Sequence, residues 1–179
     1  LQPGNDAVYT FTFAKGYALG DVHYDDNGLA EGVVCWLADT VFTDNGKSYG
    51  SSGKIVSLNE SDSGLMYGTS HHTTYAYDSL DGRINTDIHM ALRSDTSTYG
   101  YKERIEAAKW CTDKGEGWYF PAKCEMIALL NNIDTINITL QNIEATLISI
   151  WISGSGKGKY WTSTEATIDQ IGNNNASAW

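Results

Sequence analysis

The chain has 179 residues, 41% of them hydrophobic, with 6 Trp, 11 Tyr and 18 Gly but only 2 Pro. That length and mixture fit one domain with a single core and exclude both a disordered chain and a coiled coil. A net charge of −10 lacks the basic footprint of a nucleic-acid binder or of a surface that docks on anionic lipid, and reads as solubility.

Residues 1–16 read as a linker and first strand, and 17–179 as the domain. The opening Leu1-Gln2-Pro3-Gly4-Asn5-Asp6 has no signal-peptide pattern, so the sequence is expected to be a piece of a longer, exported protein. Val8 to Phe13 alternates as a strand does, and a second short run follows from Tyr17 to Tyr24. Asp25-Asp26-Asn27-Gly28 makes a turn. Gly32 to Leu37 is continuous and apolar, the mark of a buried strand. Asp44-Asn45-Gly46 is another turn, and Gly53 to Leu58 another strand, with Ile55 and Ser57 on one face.

Residues 59–100 are polar and without apolar periodicity. They are expected to be loop, functional or mobile, with a tight turn at Asp81-Gly82. A helix is expected from near Thr98, burying Tyr101, Ile105, Ala108 and Cys111 or Thr112, and stopping at Gly115 and Gly117. Pro121 opens a second helix with Glu125 in its first turn. Its buried stripe is Met126, Leu129, Leu130 and Ile133. Ile136, Leu140, Ile143 and Leu147 continue at helical spacing as a third helix; Ile148 to Ile152 fits either strand or helix. Gly154 to Gly158 is a loop, and Tyr160 to Thr164 reads as a strand. Strands, then loop, then helices, then a strand point to an α+β fold.

Catalytic and metal patterns are largely missing. Gly154-Ser155-Gly156-Lys157-Gly158 lacks the Ser or Thr that a phosphate loop places after its lysine. His71 and His72 are adjacent, so on extended backbone they face opposite ways, and with His23 and His89 they make no zinc spacing. Asp25-Asp26-Asn27-Gly28 resembles a calcium loop, but the position needing a carboxylate is Val34. Glu103 and Glu106 lie on a solvated helix face. The chain is therefore expected to be no enzyme and to hold no cofactor and no metal. Cys35, Cys111 and Cys124 read as small buried hydrophobes, with a Cys111–Cys124 bridge left open. No apolar run is long enough for membrane insertion.

One segment carries a resemblance. Gly117-Trp118-Tyr119-Phe120-Pro121-Ala122-Lys123-Cys124-Glu125-Met126 resembles the Gly-Trp-Tyr-Leu-Pro-Ala-Lys-x-Glu-Leu motif of a bacterial family of C-type-lectin-like surface domains. That family is related in fold to formylglycine-generating enzymes and to retroelement-diversified receptor proteins. Glu31 to Trp36, Gly53 to Leu58, Asp81-Gly82-Arg83-Ile84-Asn85-Thr86 (as a turn) and Tyr160-Trp161-Thr162-Ser163-Thr164-Glu165 resemble further family motifs, in order. Ala178-Trp179 falls at the usual Ala-Trp position.

The resemblance implies a C-type-lectin-like fold, with small twisted antiparallel sheets, two or three helices and long loops. It implies that Trp118, Trp161 and Trp179 are core aromatics. It also implies that Pro121 fixes the entry to the second helix and that Glu125 caps its first turn. Ala122 stands where a capping box would place Ser or Thr, forgoing about 1 kcal/mol. The calcium-sugar motifs of animal lectins and the catalytic cysteine motif of the formylglycine-generating enzymes are absent. Family members continue past Ala-Trp into closing strands, so either the chain is truncated at Trp179 or another segment completes the sheet.

The function that follows is a non-enzymatic adhesin or receptor-binding domain for a protein or glycan ligand, exported to a bacterial surface or carried on a phage particle. By the resemblance, its ligand face includes Thr167, Asp169, Gln170, Asn173, Asn174 and Asn175, and Asn, Ser, Thr and Asp are residue types that adenine-targeted diversification tends to leave. The alternative is a structural domain of a pilus or outer-surface assembly. An enzyme with the formylglycine-generating fold ranks last.

Overall fold

A computed structural model describes residues 16–40, 42–62, 64–68, 73–94, 104–149 and 160–166. The expected strand at 8–13 and the loop at 154–158 lie outside the described residues. So do His71, His72, Thr98, Tyr101, Glu103 and Trp179. The described part is mixed α+β, with small antiparallel sheets and four helices. Contacts group the chain into two compact units, one built up to Glu60 and from Ala128, the other from Ser61 to Ile127 and again from Lys159.

In the first unit, β1 (Val22–Tyr24), β2 (Ala30–Leu37) and β5 (Gly53–Ser57) form an antiparallel sheet in the order β1-β2-β5. The apolar run of β2 behaves as expected: Gly32 through Cys35 are buried. Its end differs. Trp36 is partly exposed, and the Lys54 ammonium lies 5.5 Å from its ring centroid. Register shifts between Val34 and Trp36, where a bulge places one extra residue in β2. Gly32 is required by proximity, because a Cβ there would sit 2.6 Å from Val56 O. The turn at Asp25 to Gly28 forms, with Asp25 Oδ1 accepting the N–H groups of Asn27 and Leu29.

Asp44-Asn45-Gly46 closes a hairpin of β3 (Phe42–Asp44) and β4 (Lys47–Tyr49). Asn45 at φ 49° and Gly46 at φ 78° supply the left-handed pair that a two-residue hairpin turn needs. Phe42 and Tyr49 stack across it at 4.7 Å.

The predicted second and third helices are present as α3 (Lys123–Asn131) and α4 (Ile133–Asn142). The buried stripe of α3 is narrower than expected. Leu129 is buried and Met126 half-buried, but Leu130 is exposed. Ile136 and Leu140 of α4 are fully buried, and α4 packs on β2. Thr139 Oγ1 donates to Gly20 O at 2.6 Å, fixing the chain entering β1.

The helix ends at Asn142, before Ile143 and Leu147, for a local reason. Glu144 takes φ 56°, and the N–H groups of Glu144 and Ala145 return to Gln141 O and Leu140 O. This is a Schellman stop without the usual glycine. Ile148 is then in neither helix nor strand. The Asn137 amide holds it, accepting its N–H and donating to its C=O, both at 2.9 Å.

The second unit corrects the sequence reading most. Residues 82–94, expected to be loop, form helix α1 (Gly82–Ser94). Asp81-Gly82 is its start, not a tight turn: Asp81 Oδ1 accepts the Arg83 N–H at 2.9 Å as an N-cap does. The helix was hidden because its buried face is Gly82, Asn85, Thr86 and His89. The spacing is helical, but none of the four is a large apolar side chain, so a search for apolar periodicity passes over it.

Helix α2 (Glu106–Thr112) falls within the expected helix but starts later: Ile105, expected on its buried face, is buried yet non-helical at φ −95°, ψ 70°, and Ala108 is buried as expected. They join Ala107 and Phe120 in a core that Leu65, Tyr67, Met90, Leu92 and Cys111 pack against. Glu106 is not simply solvated, since its Oε2 accepts the Met66 N–H at 2.8 Å. The segment at 160–164 forms no strand; a single bridge position follows it at Glu165, whose N–H donates to Ala76 O at 2.7 Å. Trp161 is 44% exposed and Trp118 half-buried, so Phe120, not a tryptophan, fills the interior of the 117–126 signature. Among the described residues Cys35, Cys111 and Cys124 form no disulfide. Cys35 is buried, Cys124 is exposed, and burial pushes the Cys111 thiol up to about 12.

Candidate functional site

Three sequence signatures of the second unit meet at one polar junction: the start of α1, the approach to α3 and the segment 162–165. Glu125 ties the first two together. Its Oε2 accepts the N–H groups of Ala122 at 2.7 Å and Gly82 at 3.1 Å, and its Oε1 accepts the Tyr119 hydroxyl at 2.6 Å. Glu125 therefore caps α3 as expected, and serves the first turn of α1 as well. Gly82 has to be glycine, because a Cβ would fall 2.4 Å from Phe120 O and 2.6 Å from Ala122 N.

The hydroxyl that Ala122 forgoes arrives from elsewhere in the sequence. Thr164 Oγ1 accepts the Lys123 N–H at 2.9 Å and donates to Asp78 O at 2.7 Å. Asn85 joins the same segments. It accepts the Asp78 N–H at 3.0 Å, and its amide donates to Asp78 O and Ser163 Oγ.

Among the described residues Glu165 is the most deeply buried carboxylate, 2% exposed. Its Oε2 accepts four donors from one short segment: Thr73 Oγ1 at 2.6 Å, Thr74 N at 2.8 Å, Tyr75 N at 2.9 Å and Thr74 Oγ1 at 3.1 Å. A buried carboxylate is tolerated only with such partners. Its Oε1 has none among the described residues.

His89 is fully buried beside it, against the rings of Tyr67 and Phe120. Nε2 lies 3.3 Å from Ser163 O, which assigns its proton to Nε2 and leaves Nδ1 a lone pair without a partner among the described residues. Burial holds the imidazole below its ordinary value, against the opposing pull of the Ser163 carbonyl and of Glu165. Burial also pushes the Tyr67 phenol up, and its hydroxyl donates to Ser163 O at 3.2 Å.

The outer side of this junction is the segment 73–77. Glu165 grips its backbone, Ala76 is buried, and Tyr75 and Tyr77 stand outward, 68% and 44% exposed. Tyr75 sits at φ 62°, a left-handed conformation that costs a tyrosine about 1–2 kcal/mol. The two rings are edge to face, with centroids 6.2 Å apart.

The residues expected to bind ligand (Thr167, Asp169, Gln170, Asn173, Asn174 and Asn175) lie outside the described residues. The sequence reading missed the 73–77 segment and His89 as individual residues. One signal was available, the Thr73-Thr74-Tyr75-Ala76-Tyr77 pattern, which puts two tyrosines two residues apart in a polar stretch.

The Asp25 turn fills its Oδ1 with its own backbone and gathers no other acidic ligand: among the described residues no group of three or more His, Cys, Asp or Glu is placed to hold a metal. Among them, too, no helix is long and apolar enough to cross a membrane. In comparisons with known proteins, no family model, no curated protein and no solved structure matches the chain.

Proposed function

We propose that this chain is a non-enzymatic binding domain of C-type-lectin-like fold. It is displayed on a bacterial cell surface or phage particle and recognises a protein or a glycan. The observation that carries the reading is the use made of Glu165. This carboxylate is sealed from solvent and gathers four donors from residues 73–75. Its work is to shape a loop whose aromatic side chains face outward. A general acid or base has to reach substrate. Glu165 and His89, the titratable groups buried at the junction, face inward instead.

The fold assignment draws on the order of the five signatures. It also draws on the meeting of three of them, 81–86, 117–126 and 160–165, within one unit. Binding is tested on an array of glycans and surface proteins, with the parent chain beside a variant carrying alanine at Thr167, Asp169, Gln170, Asn173, Asn174 and Asn175. The expected result is a ligand bound by the parent and lost by the variant. Binding that survives the changes removes 167–175 as the site; a chain that binds nothing on the array removes the reading.

A structural role in a pilus or surface assembly is the second reading. Among the described residues, β1 and β5 each have one hydrogen-bonded neighbour, leaving outer edges that a donated strand would extend. A chain that remains monomeric at high concentration argues against it.

A further inference from the structure

We propose that Tyr75 and Tyr77 form a stacking platform for a neutral saccharide, a proposal that rests on the binding reading above and names its ligand class and a second contact surface. Three observations carry it.

The first is exposure combined with fixation. Tyr75 is 68% exposed, yet its backbone is held by the buried Glu165 carboxylate, which accepts its N–H at 2.9 Å. Its φ of 62° is disfavoured for a side chain of this size, and the surrounding bonds maintain it. Rigid exposed aromatics lose little entropy when they bind.

The second is the direction of a hydrogen-bond chain. Thr73 Oγ1 donates its one proton to Glu165 Oε2 at 2.6 Å. In its 2.9 Å contact with the Tyr77 hydroxyl it must then accept. The Tyr77 proton therefore points inward, and toward solvent its oxygen can only accept. The site so offers a flat apolar face, Tyr75, beside an acceptor, Tyr77 Oη. A sugar ring has the matching pair, an apolar C–H face bordered by hydroxyl donors.

The third is charge. The chain carries a net −10, so sulphated or sialylated chains are repelled. A neutral ring is not.

The test is an array of uncharged, sialylated and sulphated oligosaccharides together with surface proteins. It is read with the parent chain, Tyr75→Gly, Tyr77→Phe and the 167–175 alanine variant, each with a melting curve. Tyr75→Gly relieves the left-handed strain, so its melting temperature should equal or exceed the parent's while its affinity for neutral saccharide falls more than tenfold. Tyr77→Phe keeps the ring, removes the acceptor and should weaken binding several-fold. Neutral-saccharide binding unchanged in Tyr75→Gly overturns the platform. Binding of the parent only to anionic saccharides, or only to a protein, also overturns it, and in each of these cases the binding reading stands. Loss of all binding in the 167–175 variant with full binding in Tyr75→Gly has the same meaning. A parent chain that binds nothing on the array brings down both.

Discussion

Glu165 and Tyr75, ninety residues apart, meet where a fully sealed carboxylate oxygen accepts the N–H of a tyrosine whose backbone is left-handed and whose ring stands in solvent. A buried acid thereby sets the geometry of an exposed surface. The fold uses its polar residues this way at several places in the second unit. Glu125, Asn85 and Thr164 each join segments that are distant in sequence.

Replacing Glu165 should therefore destabilise and loosen together. Glu165→Gln keeps the shape, but its neutral amide oxygen takes the place of the charged Oε2 among the four donors, and its N–H₂ falls at the buried Oε1 position, which has no partner among the described residues. The loss of charge-assisted bonds and the unsatisfied buried donors should cost about 2–4 kcal/mol. Urea unfolding gives the magnitude, and amide exchange should show the protection of Thr74 and Tyr75 falling before that of the core. Unchanged exchange at those two amides would mean the carboxylate does not fix the loop.

Acid should weaken the chain through His89. Its folded-state value lies below the ordinary 6.5 because burial disfavours the imidazolium. The unfolded chain thus binds the proton more readily, so stability is fully present above about pH 6.5 and declines as pH falls from there toward the lower folded value. His23 is shifted in the same direction, again by burial first. Urea midpoints measured from pH 8 to 5.5 should fall on the acid side, and His89→Gln should flatten part of that slope. A slope unchanged in His89→Gln assigns the acid sensitivity elsewhere.

At the end of α4, Glu144 occupies the left-handed position that glycine usually takes. Glu144→Gly should raise stability by up to about 1 kcal/mol, because the strain relieved exceeds the entropy glycine adds to the unfolded chain. Differential scanning calorimetry would show a higher melting temperature. A lower one would mean that the glutamate side chain makes a compensating contact.

The sequence by itself determined what depends on local chemistry. The apolar run of β2 read as a buried strand, Asp44-Asn45-Gly46 read as a turn, and Pro121 with Glu125 marked the start of α3. The stripe of Ile136 and Leu140 located α4. The α+β class follows from these elements and their order.

Tertiary structure decided the rest. Helix α1 is buried through Asn85, Thr86 and His89, polar groups that can enter an interior only where distant partners meet them. No window of sequence contains those partners, since Ser163 and Phe120 lie far along the chain. Thr164 standing in for a capping hydroxyl at Lys123, and Trp161 remaining exposed while Phe120 is buried, belong to the same category. Periodicity reports the hydrophobic effect along one segment; satisfaction of buried polar groups is a property of several segments at once, and only the folded chain brings them together.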